Sequence, residues 1–328
     1  MKRMMIFIAA LVAFLGVAFF NQGHQRKQAQ VPLVGILQPL SHPALDAIHK
    51  GIEAGLAKSG YKAGSVRFDF QNAQGDQSNL KTMAERFTTE NAAVTVGIAT
   101  PAAQALANAN QSTPVVLGAV TDPKGAKLVK DNAHPGGNVT GVSDQPPLKA
   151  QLQLIKTLMP KAKVLGLIGT SSDDSAQSQI RQMQALAPKY GFTVKTYAIS
   201  NTNDLTQVAN QMVTQVDAIY VPTDNTIASA MQTLVAAANA RKVPIFPSVD
   251  TMVEQGGLAA IGLDQFQLGV ETGKMVAKIL KGADPATTPI HFETNGQLIL
   301  NDKVARQLGI TIPKSVAHTA QTQGKVIQ

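Results

Sequence analysis

Several short stretches of this 328-residue chain set a hydroxyl or small residue beside an aspartate. They are Thr121-Asp122, Ser143-Asp144, Ser172-Asp173, Thr223-Asp224 and, less regularly, Val249-Asp250 and Leu263-Asp264. Such side chains can hold a small polar solute: hydroxyls and helix N-terminal amides face an anionic group, and carboxylates face an ammonium. Ser, Thr and Asp at these turns are also ordinary N-caps, and at any single turn the cap is the commoner role. The argument for binding is therefore collective, and it requires several turns to converge on one cleft. Residues 38–43 (QPLSHP) add Ser41 and His42 to the candidates, although a lone histidine before a proline is more often incidental than a contact. Residues 170–175 (TSSDDS) offer hydroxyls and amides at a helix start. Asp173 and Asp174 disfavour a bare anion there and fit a zwitterion, which carries both signs of charge.

Motifs for bond-making chemistry do not occur. The sequence has no G-x-G-x-x-G after a strand, no Walker loop and no G-x-S-x-G elbow. Its six histidines are scattered, none with the i, i+4 spacing of a helical zinc pair, so neither a metal nor a cofactor is expected. Zero cysteines exclude disulfides, thiolate metal sites, a cysteine nucleophile and a lipidated-cysteine anchor. The net charge of +8 is half contributed by Lys2, Arg3, Arg26 and Lys27, so the body of the chain makes a poor nucleic-acid footprint. Composition is 44% hydrophobic and only 15% charged, which rules out wholesale disorder.

The elements that must position the turns are an alternation of strands and helices. Residues 31–37 (VPLVGIL) read as a buried strand, and 44–58 place Leu45, Ile48, Ile52 and Leu56 on one helical face. Strands at 66–70, 94–99 and 114–119 follow, with helices over 79–89 and after Pro101. A second series starts near Pro146-Pro147. It has helices at 148–158, 176–186, 205–214 and 227–239, and strands at 163–168, 192–199, 218–221 and 244–246. This alternation calls for parallel sheets covered by helices on both faces, in two similar α/β lobes. A strand at 258–262, a helix at 266–280 and a strand near 290–292 are either shared between the lobes or attached to one. In such sheets ligands collect beyond the carboxyl ends of the strands, where the Ser/Thr-Asp turns lie. Ahead of the lobes, residues 4–20 (MMIFIAALVAFLGVAFF) are apolar and uncharged after Lys2-Arg3. They read as an uncleaved signal anchor or a cleaved signal peptide, with a polar tether at 21–30.

Eight segments carry a resemblance to a known family. They are VGILQPLSHPALDAIHKGIEAGL (34–56), NAQGD (72–76), GIATPAAQAL (97–106), AVTDPKGAKLV (119–129), NVTGVSD (138–144), YVPTDNTIASA (220–230), VPIFPSVDTMVEQGGLAAIGLD (243–264) and LGVETGKMVAKILKG (268–282). In order and without large gaps, over about residues 31–313, the chain resembles the tryptophan-type solute-binding proteins of ABC importers. The resemblance implies the type I periplasmic-binding-protein fold: two Rossmann-like parallel-sheet lobes joined by a multi-strand hinge with three crossovers, here preceded by an N-terminal membrane helix. It places 31–143 and 264–290 in lobe 1, 144–263 and 291–313 in lobe 2, and leaves 314–328 as a mobile polar tail.

The resemblance further implies a monomer that closes on an amino acid of the aromatic class (tryptophan or phenylalanine) and delivers it to a permease and its ATPase outside the membrane. It implies no enzyme activity and no nucleic-acid partner. The matching cleft residues are Ser41, His42, Thr100, Pro101, Thr121, Asp122, Ser143, Ser171, Ser172, Asp173, Thr223, Asp224, Asn225 and Asp250. The ligand ammonium falls to Asp224 or Asp250, and its carboxylate to hydroxyls and amides around Thr100 and Ser171-Ser172. The stretch GTSSDDSA offers no ring, so a stacking partner has to come from elsewhere, with Phe246 and Phe266 the candidates. A membrane-anchored sensing domain on the same fold is the alternative, although no signalling domain follows Pro313 and no helix-turn-helix fits before Val31.

Overall fold

A computed structural model describes residues 31–62, 64–294 and 296–328. The apolar stretch at residues 4–20 and the tether lie outside them. No helix among the described residues is long and apolar enough to cross a membrane.

The first lobe is built on β1 (Leu33–Gln38), α1 (Pro43–Lys58), β2 (Arg67–Asn72), α2 (Gln77–Thr89), β3 (Val94–Ile98), α3 (Ala99–Ala109), β4 (Val115–Gly118) and β5 (Val139–Ser143). Its six-stranded sheet, which a late strand β11 (His291–Phe292) joins, runs β11-β5-β4-β3-β1-β2 and is parallel throughout. All six residues of β1 and all five of β3 are buried, as expected of central strands covered on both faces. Strand β2 is the edge, and its exposed pattern reflects that position.

The second lobe is continuous in sequence: α4 (Leu148–Leu158), β6 (Val164–Thr170), α5 (Asp174–Leu186), β7 (Thr193–Ile199), α6 (Leu205–Met212), β8 (Ala218–Val221), α7 (Asn225–Ser229), α8 (Met231–Ala240), β9 (Ile245–Pro247), α9 (Asp250–Glu254) and β10 (Ala259–Gly262). Four strands form a parallel sheet in the order β7-β6-β8-β9. The helix expected over 227–239 is two helices, because Ala230 leaves the helical region at φ −121°, ψ 24°.

The chain then returns to the first lobe through α10 (Gln265–Leu280) and β11 (His291–Phe292). Strand β11 pairs with β5, so residues 291–292 belong to the first sheet and not to the second lobe. The chain finishes with β12 (Gln297–Asn301), α11 (Asp302–Leu308), α12 (Lys314–Gln323) and β13 (Lys325–Ile327). Strand β12 pairs antiparallel with β10 and parallel with β13, giving a small mixed sheet beside the second lobe. Leu298, Leu300, Val316 and Ala320 share one buried cluster with Leu152, Tyr220 and Phe246. Residues 314–328, expected as a mobile tail, are therefore a helix and a strand, held by apolar contacts at i and i+4 that their polar composition conceals.

Seating α10 on α1 is a matter of missing side chains. A Cβ on Gly51 would stand 2.2 Å from the Phe266 carbonyl oxygen, and one on Gly269 would stand 2.1 Å from that of Ile48. Gly55 and Gly273 repeat the contact one turn on. The two helices run parallel with their backbones touching, and both end at the base of the lobe, away from the strand carboxyl ends.

Candidate functional site

The carboxyl ends of β1, β3 and β4 in one lobe face those of β6 and β8 in the other, and the lobes touch. Among the described residues four side-chain hydrogen bonds cross between them. The His42 ring nitrogen Nε2 lies 3.0 Å from Asn225 Oδ1, and Thr121 Oγ1 lies 2.6 Å from Ser175 Oγ. Ser178 donates to Asp122 Oδ2 at 2.9 Å, and Gln104 donates to Asp174 Oδ2 at 2.9 Å. At two neighbouring strand ends in the first lobe the backbone is held left-handed at alanines, Ala99 (φ 64°) and Ala119 (φ 60°). Non-glycine residues rarely adopt this conformation, and it concentrates where a backbone is positioned for function.

Between the lobes lies a cavity of about 80 Å³. The first lobe supplies its apolar wall, Pro39, Leu40, Leu80 and Pro101, with Gly75 and Gln77. The second lobe supplies a polar wall of Thr170, Ser172, Asp173, Asn225 and Thr226. Larger depressions open from it on either side, one of about 630 Å³ along α2 and α3 and one of about 740 Å³ reaching Ser200, Asn201 and Thr202. Gln77 and Ser172 line all three, so they mark the middle of the cleft. A deeper cavity of about 20 Å³ is lined by His42, Ala99, Ala119, Asp144, Thr223, Asp224 and Asn225, among others. That is room for a single water, and the unpartnered Nδ1 of buried His42 is a polar group with need of one.

Three buried carboxyls give the site its electrostatic character. Burial pushes Asp144 up to about 7, against the opposing hydrogen bond from Thr121. Burial, reinforced by the nearby Asp224 charge, likewise pushes Asp173 up to about 7. Asp224 is also raised, first by burial, against several donated hydrogen bonds. Among the described residues none of the three is in an ion pair, so no protein cation compensates them. Burial lowers the pKa of His42 and so favours its neutral ring. The interior therefore favours an added positive charge over a negative one.

Most of the expected residues meet in this region. Thr100, Pro101, Ser41, Ser172, Asp173 and Asn225 line the central cavity or its two openings, while His42, Thr223 and Asp224 line the deeper one. Asp122 lines a small neighbouring cavity with Thr100, and Thr121 joins the lobes through Ser175. Asp224 is at once a helix cap and a brace: it accepts from the Ile227 amide and from both the amide and hydroxyl of Thr170. Asp173 caps α5 through the Ala176 amide.

Others lie apart. Ser143 is fully buried beneath the cleft, its hydroxyl donating to the Thr121 carbonyl. Ser171 is exposed and lines none of these cavities. Asp250 is drawn instead toward the small mixed sheet, where Glu254, Asp264 and Lys325 are its charged neighbours, and burial raises it to about 6. Phe246 is sealed in the second lobe's core and Phe266 is exposed on α10, so neither ring reaches the ligand space. No Phe or Tyr lines any of these cavities. Sequence reasoning missed Leu40, Gln77, Leu80 and the 200–202 turn. Gln77 directly follows the Asp76 cap of α2, which is the one signal that could have located it.

The site is thus a cleft between two parallel-sheet lobes, lined by hydroxyls, amides and buried carboxyls. Residues 33–323 match the ABC transporter substrate binding protein family, to which the chain belongs. A curated relative, the tyrosine-binding protein of Clostridioides difficile, is 36% identical over 88% of this chain and 84% of its own. An ABC domain from Streptococcus pneumonia, solved in complex with L-Trp, is 49% identical and superposes with a TM-score of 0.88 over 90% of this chain and 99% of that one. A substrate-binding protein with adhesive properties from Clostridium difficile, solved in its ligand-free, open form, is 34% identical over 91% of this chain and 99% of that one, with a TM-score of 0.71. The structure superposes more closely on the L-Trp complex than on the ligand-free, open structure.

Proposed function

We propose that this protein captures an aromatic amino acid between its lobes and hands it to an importer's permease, while residues 4–20 hold it at the outer face of the cell membrane. The observation that carries the reading is the two-sided central cavity: an apolar wall from one lobe, and a hydroxyl-rich wall with an uncompensated buried carboxyl from the other. That division suits a zwitterion with a large apolar side chain. The ring packs between Leu40, Leu80 and Pro101 and needs no aromatic partner. The ammonium faces Asp173 and the carboxylate faces Ser172 and Thr226. The name of one relative, a tyrosine-binding protein, and the L-Trp held in the structure of another support the class.

Asp224 is the weaker candidate for the ammonium because its oxygens already accept three hydrogen bonds from Thr170 and Ile227. Ligand and closure are linked, since a solute favours the closed form only by binding it better than the open one.

Calorimetry on the full chain in detergent tests this. L-tryptophan, L-tyrosine and L-phenylalanine are compared with L-leucine, with tryptamine, which lacks the carboxylate, and with indole-3-propionate, which lacks the ammonium. Aromatic amino acids are expected to bind, and each truncated analogue to bind at least about tenfold more weakly, the equivalent of 1.4 kcal/mol. Equal binding of indole-3-propionate would remove the carboxyl from ammonium recognition. Binding of none of the aromatic amino acids would defeat the reading.

A further inference from the structure

The large hydrophobic side chains left exposed among the described residues are not scattered. Val31, Phe68 and Phe70 lie at one corner of the first lobe, and Phe266 lies elsewhere. Phe68 and Phe70 share a face of β2, the sheet's unpaired edge, and Phe70 stacks on His49 with ring centroids 4.0 Å apart. The Arg67 amide donates to the Pro32 carbonyl, which puts the start of β2 beside the point where the chain enters the fold.

The same corner is basic. Helices α1 and α10 end next to each other, where Lys281 donates to the Ser59 carbonyl and sits 6.0 Å above the Tyr61 ring. Lys58, Lys62, Arg67 and Lys278 are exposed around it. The acids of these elements are Asp46, which accepts from Gln38 and Ser41 at the cleft end of α1, Glu53, 3.5 Å from His49, Asp69 on β2, 3.0 Å from Arg86, Glu271, 2.6 Å from Lys274, and Asp284 in the turn after α10, whose side chain caps the Ala286 amide. Lysines at helix C-termini also offset the helix dipole, which accounts for Lys58 and Lys278. It accounts for neither Lys62 and Arg67 nor two exposed phenylalanines.

Charge and chain path name the occupant. Ten residues, 21–30, separate the apolar stretch from Val31, and fully extended they reach at most about 35 Å. We propose that this corner, Phe68 and Phe70 framed by Lys58, Lys62, Arg67 and Lys281, docks on an anionic phospholipid surface. The proposal rests on the membrane-anchoring reading above. Aromatic rings settle at the headgroup level of a bilayer and cations gather over anionic lipid, so a short tether from this corner presses both against the surface. The cleft, at the opposite ends of the strands, stays clear of the lipid.

The chain contains no tryptophan, so a single substitution provides a clean probe. The full-length protein carrying Phe68→Trp is reconstituted into vesicles of phosphatidylcholine alone or with phosphatidylglycerol, some of it bromine-labelled. Phe266→Trp, at the cleft end of α10, is the control. Docking predicts blue-shifted emission and roughly threefold stronger bromine quenching for Phe68→Trp than for Phe266→Trp, only with anionic lipid. Adding Lys58→Glu and Lys62→Glu abolishes the difference and leaves amino-acid binding unchanged. Protein that fails to float with the vesicles overturns the anchoring reading and the docking with it. Protein that floats while both probes behave alike overturns docking alone. A blue shift that needs no lipid and grows with protein concentration assigns the face to contact between copies and refutes the proposal.

Discussion

The hydrogen bond between His42 and Asn225 should act as a clasp on the closed form, and its strength can be worked out. The two side chains are 93% and 92% buried where the lobes meet, with 3.0 Å between Nε2 and Oδ1. When the lobes part, both groups regain water, so the bond counts only toward closure. A net hydrogen bond contributes about 0.5–1.5 kcal/mol, and leaving its partner buried and unpaired costs about 1–3 kcal/mol. His42→Ala should therefore weaken closure by about 1–2 kcal/mol, or roughly 5- to 30-fold in Kd. Asn225→Ala should fall in the same range, with some added loss because Asn225 also lines the central cavity. The double variant should lose less than the sum, with a coupling of about 0.5–1.5 kcal/mol. Calorimetry with whichever aromatic amino acid binds tightest gives the four affinities. Thermal unfolding without ligand supplies the control. Additive losses in affinity would show that the two side chains do not act together. A fall in ligand-free stability matching the affinity loss would make the contact a structural one.

Two further expectations concern stability. Asp144 is held up to about 7 by burial, so the folded protein keeps a proton that the unfolded chain releases near pH 4, and folding stability falls as pH rises through that window. Asp144→Asn cannot ionise and keeps the acceptor for Thr121. Its stability relative to the parent should climb by up to about 1.4 kcal/mol per pH unit between pH 4 and 7 and level off above, whereas a constant difference in thermal unfolding from pH 5 to 8 would contradict the burial argument. Gly51→Ala forces a methyl into the Phe266 carbonyl and should cost about 2 kcal/mol or more in urea unfolding, and an unchanged midpoint would mean that α1 and α10 can part freely.

What could be read in advance was what local chemistry dictates. Apolar runs such as LVGIL and VTVGI are buried on both faces, and their strands stand within two residues of expectation. Strand β5 (VTGVS) went unplaced because a glycine and hydroxyls break its apolar run, and α12 went unplaced because only Val316 and Ala320 reach the core. The break at Ala230 has neither glycine nor proline to announce it. In the site, the Ser/Thr-Asp turns were legible as caps, and several of them cap helices while facing the cleft. Which turns meet is a property of lobe contact, so Leu80 and Asn201 carry no signal, Gln77 carries only its place after the Asp76 cap, and Asp250 is distinguished from Asp224 only by β13, which brings Lys325 beside it.

The parallel seam of glycines between α1 and α10 joins parts of the chain more than two hundred residues apart, and between them lies the four-stranded sheet of the second lobe. During synthesis the first half emerges with α1 lacking its neighbour and β5 lacking β11. The second lobe's four-stranded sheet, by contrast, is contiguous, so its strands can pair as soon as they appear, while Leu298, Leu300, Val316 and Ala320 of its core come later. Maturation should therefore run inside out, with the earlier-made half waiting for the later-made one. An interruption anywhere before Gln265 leaves an exposed apolar flank for a chaperone or a protease to find.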